Sequence, residues 1–140
     1  MIEHSEHLDS KYFEISHTSD LAMWVCGDDL SDLMRNAADG MFALMGLVDE
    51  KGSVTSFDLK IPPGEVESLL VDYLNELLFY LDQEIVLRLI NAKIDEDGLA
   101  MQMQATKLAG RDRYIKAATF HDLSLKETEK GLTAVIVFDV

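Results

Sequence analysis

Two stretches of the chain repeat their apolar positions with a helical period. Leu30, Leu33, Met34, Ala37, Ala38, Met41, Phe42 and Met45 recur at i, i+3, i+4, i+7 and onward, which is one face of a helix of about 3.6 residues per turn. Asp28 or Asp29 can accept the free N–H groups at its start, and Gly46 is placed to end it. A second stripe, Val66, Leu69, Leu70, Tyr73, Leu74, Leu77, Leu78 and Leu81, follows Pro62-Pro63-Gly64, whose prolines cannot continue a strand and set up a helix start. Both faces are expected to be buried. Methionine fills irregular gaps, so Met34, Met41 and Met45 read as core filler rather than a binding groove, and the leucine stripe suits a sheet better than a partner helix.

The rest of the pattern reads as strands. Tyr12 to Ser16 and Leu21 to Cys26 flank a polar break, and Ser53 to Ile61 alternates. Glu84 to Ile94 and Leu99 to Ala105 predict a hairpin across Asp95-Glu96-Asp97-Gly98, and Tyr114 to Leu125 and Leu132 to Phe138 a second one through Thr128-Glu129-Lys130-Gly131. Ala134 to Phe138 is apolar on both alternating sets, which predicts a central strand covered on both faces. Two long helices packed on an antiparallel or mixed sheet make an α+β layered fold.

The length of 140 residues fits one domain over 1–140, with residues 1–11, which carry no period, as a loose lead-in. The formal charge of −14, from 12 Lys plus Arg against 26 Asp plus Glu, opposes phosphate, so direct binding of nucleic acid is not expected. Cys26 is the one cysteine, which excludes a disulfide framework and a cysteine-based zinc site. The longest apolar stretch, near Leu74 to Leu81, is broken by Asn75 and Glu76 and is too short for a bilayer. A cytoplasmic protein with no membrane partner is the expectation.

The chain has no GxSxG, Walker A, HExxH or GxGxxG sequence, and Asp95 to Gly98 lacks the spacing of a calcium loop. Three places keep chemical interest. His17-Thr18-Ser19-Asp20 lies between two strands, where a polar turn bonding to nearby backbone is the account the pattern alone favours. Ile115 to Asp122 places Lys116 and His121 in a strand-like run; a water-facing edge lysine is the plain account, and a sheet-held cation aimed at a phosphate or carboxylate the functional one. His121 suits a hydrogen-bonded structural histidine, and strand alternation puts it on the face opposite Lys116. The chain closes on Phe138-Asp139-Val140, a hydrophobic strand followed at once by a side-chain carboxylate, a main-chain oxygen and the terminal carboxylate. Oxygens of that kind in one volume suit a hard divalent cation, while a solvated terminus is the simpler alternative.

Taken in order, these places resemble the archease family. His17-Thr18-Ser19-Asp20 is similar to its "HTAD" element, Lys116 to His121 to its "KAVTYH" strand, and Phe138-Asp139-Val140 to its "DI" ending. Asn36-Ala37-Ala38 through Met45 and Leu69-Leu70 through Leu74-Asn75-Glu76-Leu77-Leu78 match the texture of its two helices. The resemblance implies an SHS2-type domain (strand, helix, strand, strand) with an inserted helix-containing unit. It further implies a protein without catalysis of its own that activates an RtcB-type RNA ligase in tRNA splicing, promoting ligase guanylation and multiple turnover. The implied cation ligands are Asp20, Asp139 and Val140, holding Ca2+ or alternatively Mg2+ or Mn2+. Lys116 is the implied residue for ligase activation, with His17 and His121 lining the site.

Some residues depart from the family pattern. Ser19 stands where Ala is usual, Ala118 where Val is usual and Phe120 where Tyr is usual, the last removing a hydroxyl. Thr106 to Arg113 reads as a shortened, basic loop, which puts that loop's role in partner contact in doubt. Two other functions compete: a general chaperone or adaptor for RNA-processing proteins with a structural metal, and a metal-dependent phosphoester hydrolase built on Asp20 and Asp139. The second lacks any general base patterned beside the carboxylates.

Overall fold

The first apolar stripe folds as helix α1 (Leu30–Met45). Asp29 caps it by accepting the Asp32 N–H, and Gly46 ends it in the left-handed region at φ 61°. The second folds as α2 (Val66–Leu81), which starts directly after the Pro62-Pro63-Gly64 turn without a side-chain cap. The structure, a computed structural model, describes residues 10–15, 21–52, 54–119 and 125–140. Met34, Met41 and Met45 are at most 1% exposed, and Leu69 to Leu81 bury the whole leucine stripe. Both helices therefore serve the core, as their spacing predicts.

Nine strands are described: β1 (Tyr12–Ile15), β2 (Leu21–Gly27), β3 (Val48–Asp49), β4 (Thr55–Ile61), β5 (Ile85–Asp95), β6 (Gly98–Gly110), β7 (Ala117–Thr119), β8 (Lys126–Thr128) and β9 (Gly131–Asp139). They form two sheets, not one, and every pairing is antiparallel. In the first sheet β9 is central, with β2 and then β1 on one side and β7 and β8 along the other. In the second, β6 is central between β5 and β4, and β3 pairs with its far end. Helix α1 packs mainly on β2 and β5, and α2 on β5 and β7, so one hydrophobic core runs between the sheets. Strand β9 buries one alternating set, Ala134, Ile136 and Phe138, at 2% exposure or less, and on the other set buries Thr133 and Val137 while Val135 is half-buried. Its double-sided apolar pattern is thus a true mark of a central strand.

Two expectations are corrected. Residues 106–110 are not a loop but the continuation of β6, paired with β5 at Lys107 and with β3 at Leu108 and Gly110. Strand β3 itself is too short, at two residues, to leave a periodic trace in the sequence. Tyr114 to Leu125 is not one strand: residues 113–116 are irregular, β7 and β8 are three-residue segments at opposite ends of β9, and residues 120–124 lie outside the described residues. The β8–β9 hairpin does turn where expected, through Glu129 and Lys130.

Candidate functional site

The chain end is set by β9. Phe138 is fully buried and opposite Leu21 of β2 on one side and Ala118 of β7 on the other. Asp139 and Val140 emerge from that anchor into solvent, Val140 being 54% exposed. Ala117 is opposite Asp139, and the Lys116 N–H donates to the Asp139 carbonyl at 2.8 Å. Lys116 therefore enters the sheet beside the terminal residues. Its side chain is exposed, and among the described residues no carboxylate lies within ion-pair distance of it.

The route to Lys116 is fixed from behind. The Met45 carbonyl at the end of α1 accepts from both Asp112 N–H (2.8 Å) and Arg113 N–H (3.1 Å). Ile115, 6% exposed, plugs into the core, while the Arg111 guanidinium stacks over Tyr114 at 3.9 Å from the ring centre. The segment is irregular in backbone yet tied at each end. Helix α2 contributes a further tie that sequence reasoning missed: Asn75 accepts from the Ala118 N–H at 2.8 Å and donates to the Ala118 carbonyl at 3.1 Å.

Of the residues singled out by pattern, the structure thus brings Lys116, Asp139 and Val140 together. His17, Asp20 and His121 lie outside the described residues. What the structure does give is Leu21, the next residue after Asp20, directly opposite the residue that precedes Asp139.

A second polar cluster also escaped the sequence. Arg88 of β5 grips Asp49 of β3 through two bonds, at 2.7 and 3.2 Å, and Thr106 of β6 donates to the same carboxylate at 2.7 Å. Asp39 of α1 lies 3.7 Å from Arg88, whose guanidinium also sits over Phe42. Burial alone would raise the Asp49 carboxyl, but the Arg88 and Thr106 hydrogen bonds outweigh it and hold it below the ordinary carboxylate range. For Asp39 burial prevails over Arg88 and Arg35, and its carboxyl is raised. Every strong group at Asp49 is already bonded within the protein, which marks this cluster as a staple joining four elements rather than a binding site.

The described residues form a small α+β protein of two antiparallel sheets in which the Lys116 backbone is bonded to Asp139. The chain belongs to the archease family: the model described as "Archease protein family (MTH1598/TM1083)" matches residues 12–140. The archease of Methanosarcina mazei is 29% identical over 142 residues, covering 93% of this chain and 96% of that protein. That of Methanothermobacter thermautotrophicus is 29% identical over 138 residues, covering 93% and 97%. Among solved structures, the solution structure of Methanobacterium thermoautotrophicum protein 1598 superposes with a TM-score of 0.71 at 26% identity, covering 93% of this chain and 99% of that one. The crystal structure of a Thermotoga maritima protein described as an archease, possible chaperone, has the same fold, with a TM-score of 0.69 at 21% identity over 90% and 94% of the two chains.

Proposed function

We propose that the chain is a cation-binding activator of an RtcB-type RNA ligase in tRNA splicing, acting through the surface formed by Lys116 and the chain end and performing no catalysis itself. One observation carries this reading. Strand pairing sets Lys116 against Asp139, while β2 delivers Leu21, and so the residue after Asp20, to the same end of β9.

The donor chemistry fits a hard divalent ion. Asp139 and the terminal carboxylate of Val140 are consecutive, exposed and without a basic partner within ion-pair distance among the described residues. All their ligand atoms are oxygens, the set that suits Ca2+ and also Mg2+ or Mn2+. Among the described residues no three acidic, histidine or cysteine side chains converge, so such an ion would depend on Asp20, Asp139 and the terminal residue's oxygens together. When bound, it would neutralise the acidic chain end and allow that end to meet a partner's oxygens. Lys116, whose backbone is bonded to Asp139, supplies a positive charge on the same surface. An acidic partner complements a ligase that must be basic to hold RNA. Among the described residues no helix is long and apolar enough to cross a membrane, and a cytoplasmic setting shared with tRNA processing belongs to this reading.

The test is a ligation assay with limiting ligase from the same cell. Added protein should raise the product formed per ligase over repeated turnovers and the fraction of ligase guanylated. Unchanged turnover would sink the proposal. A chaperone or adaptor role with a structural cation is the second reading, favoured by the description of the Thermotoga maritima relative as a possible chaperone. It predicts that the protein preserves ligase solubility on heating without altering the turnover of folded ligase.

A further inference from the structure

Among the described residues strand β7 spans three residues and pairs with β9 along one edge. In a ladder, alternate residues turn their N–H and C=O away from the partner strand. Ala118 is the residue of β7 that does so, and it is 4% exposed. A buried N–H and C=O without partners would cost roughly 1–3 kcal/mol each. No further strand covers that edge among the described residues. The side-chain amide of Asn75 stands in for one, accepting at 2.8 Å and donating at 3.1 Å. Asparagine offers a carbonyl and an NH2 in one plane, the geometry of a peptide edge, which Leu, Asp or Ser cannot reproduce.

The location of this clamp matters more than its strength. Asn75 sits on α2 between Val71 and Leu78, whose packing fixes the helix against the core. Ala118 is two residues from Lys116, whose own N–H makes the next bond, to Asp139. On the far side of Lys116 from the Ile115 anchor, the segment is thus defined relative to the chain end by β9 on one edge and by a single amide on the other. A short strand held so is the part of the sheet that opens first if one side is released.

We propose that Asn75 is a positioning residue: by clamping Ala118 it holds Lys116 in register with Asp139 and the terminal carboxylate. Its consequence for activity rests on the function proposed above, whereas the clamp itself does not.

Three measurements on Asn75→Ala separate the possibilities, with Asn75→Asp as a second variant that keeps the acceptor for the Ala118 N–H and loses the donor. In native-state hydrogen exchange, the Ala118 amide should lose at least about tenfold of its protection while amides of the β2–β9 ladder keep theirs. Unchanged protection at Ala118 overturns the clamp. In calorimetric titration with Ca2+ at a temperature where both proteins are folded, affinity should weaken by about tenfold or more, that is, about 1.4 kcal/mol. In the ligation assay the variant should stimulate less at every concentration. A lower melting temperature with unchanged cation affinity and unchanged stimulation shows a structural role only and overturns the positioning role. Asn75→Asp should fall between wild type and Asn75→Ala in all three. If the unsubstituted protein neither binds Ca2+ nor stimulates the ligase, the proposed function fails, and the exchange measurement alone still decides the clamp.

Discussion

Tyr73 is fully buried in α2, and its hydroxyl finds no hydrogen-bond partner among the described residues. Burial, reinforced by the charge of Asp39, pushes its pKa well above the ordinary phenol value. A buried donor without a partner is a cost, so Tyr73→Phe should leave the melting temperature unchanged or raise it, by up to about 1 kcal/mol of stability. A clear loss in thermal unfolding would show that the hydroxyl is in fact bonded. Asp49 behaves in the opposite sense. Its pKa is depressed in the folded chain, so its contribution is fully present above the unfolded value and is lost as pH falls through the folded one. Asp49→Asn should therefore cost about 1 kcal/mol at neutral pH, a moderate figure because Arg88 is 40% exposed. The difference from wild type should begin to shrink near pH 4, the unfolded value, and vanish only once the pH lies below the depressed pKa of the folded carboxyl, as read in urea titrations. A pH-independent difference would refute the charge-based account. At this scale the sequence was unevenly legible. Lys116 and Asp139 stood out because charged residues abutting apolar strands are unusual. Asn75 marked itself only as a polar break in the apolar stretch near Leu74 to Leu81, and its partner Ala118 is 43 positions away, a separation that no local pattern encodes.

The elements divide by how much of their stability is local. Both helices were readable nearly to the residue because sixteen positions each repeat one period, with Asp29 and Gly46 at the ends of the first. The β5–β6 hairpin was readable because its turn chemistry is local as well: Asp95 pairs with Gly98 and accepts the Asp97 N–H. Gly98 adopts φ 113°, and a Cβ there would collide with the Ile61 carbonyl. Gly98→Ala should thus cost more than about 1 kcal/mol in thermal or urea unfolding, and an unchanged midpoint would show that β4 and the turn can separate freely. The short segments were not readable. Strands β3, β7 and β8 exist because β6 and β9 offer them edges, and Arg88, Asp49 and Asn75 secure two of those edges through contacts remote in sequence. The same dependence explains why Thr106 to Gly110, which carries no clear strand pattern, becomes strand: β5 pairs with it through Lys107 and β3 at Leu108 and Gly110.

For the whole molecule, the division into two sheets decides where chemistry can occur. A pattern of strands gives pairing partners only through turns, so the sequence suggested one sheet. The chain instead closes a long β5–β6 hairpin with β4 and β3 into a second sheet, and leaves β9 as the centre of the first. Only in that arrangement do the segment after Asp20, the segment carrying Lys116 and the chain end share one strand's terminus. Charge acts at the same scale. With a net −14 the surface repels anions generally, so an exposed lysine whose backbone is bonded to Asp139 is a local exception, and a cation held there would widen it. Calcium titration of the intact protein should show binding that Asp139→Ala abolishes; equal binding by that variant would refute the assignment of the chain end. The most direct measurement compares wild type, Lys116→Ala and Asp139→Ala, all folded, in the multiple-turnover ligation assay. Wild type is predicted to stimulate the ligase, and each variant to lose at least about nine-tenths of that stimulation, as expected for removal of a charged contact worth about 1.4 kcal/mol or more. Stimulation by both variants equal to wild type would contradict the account.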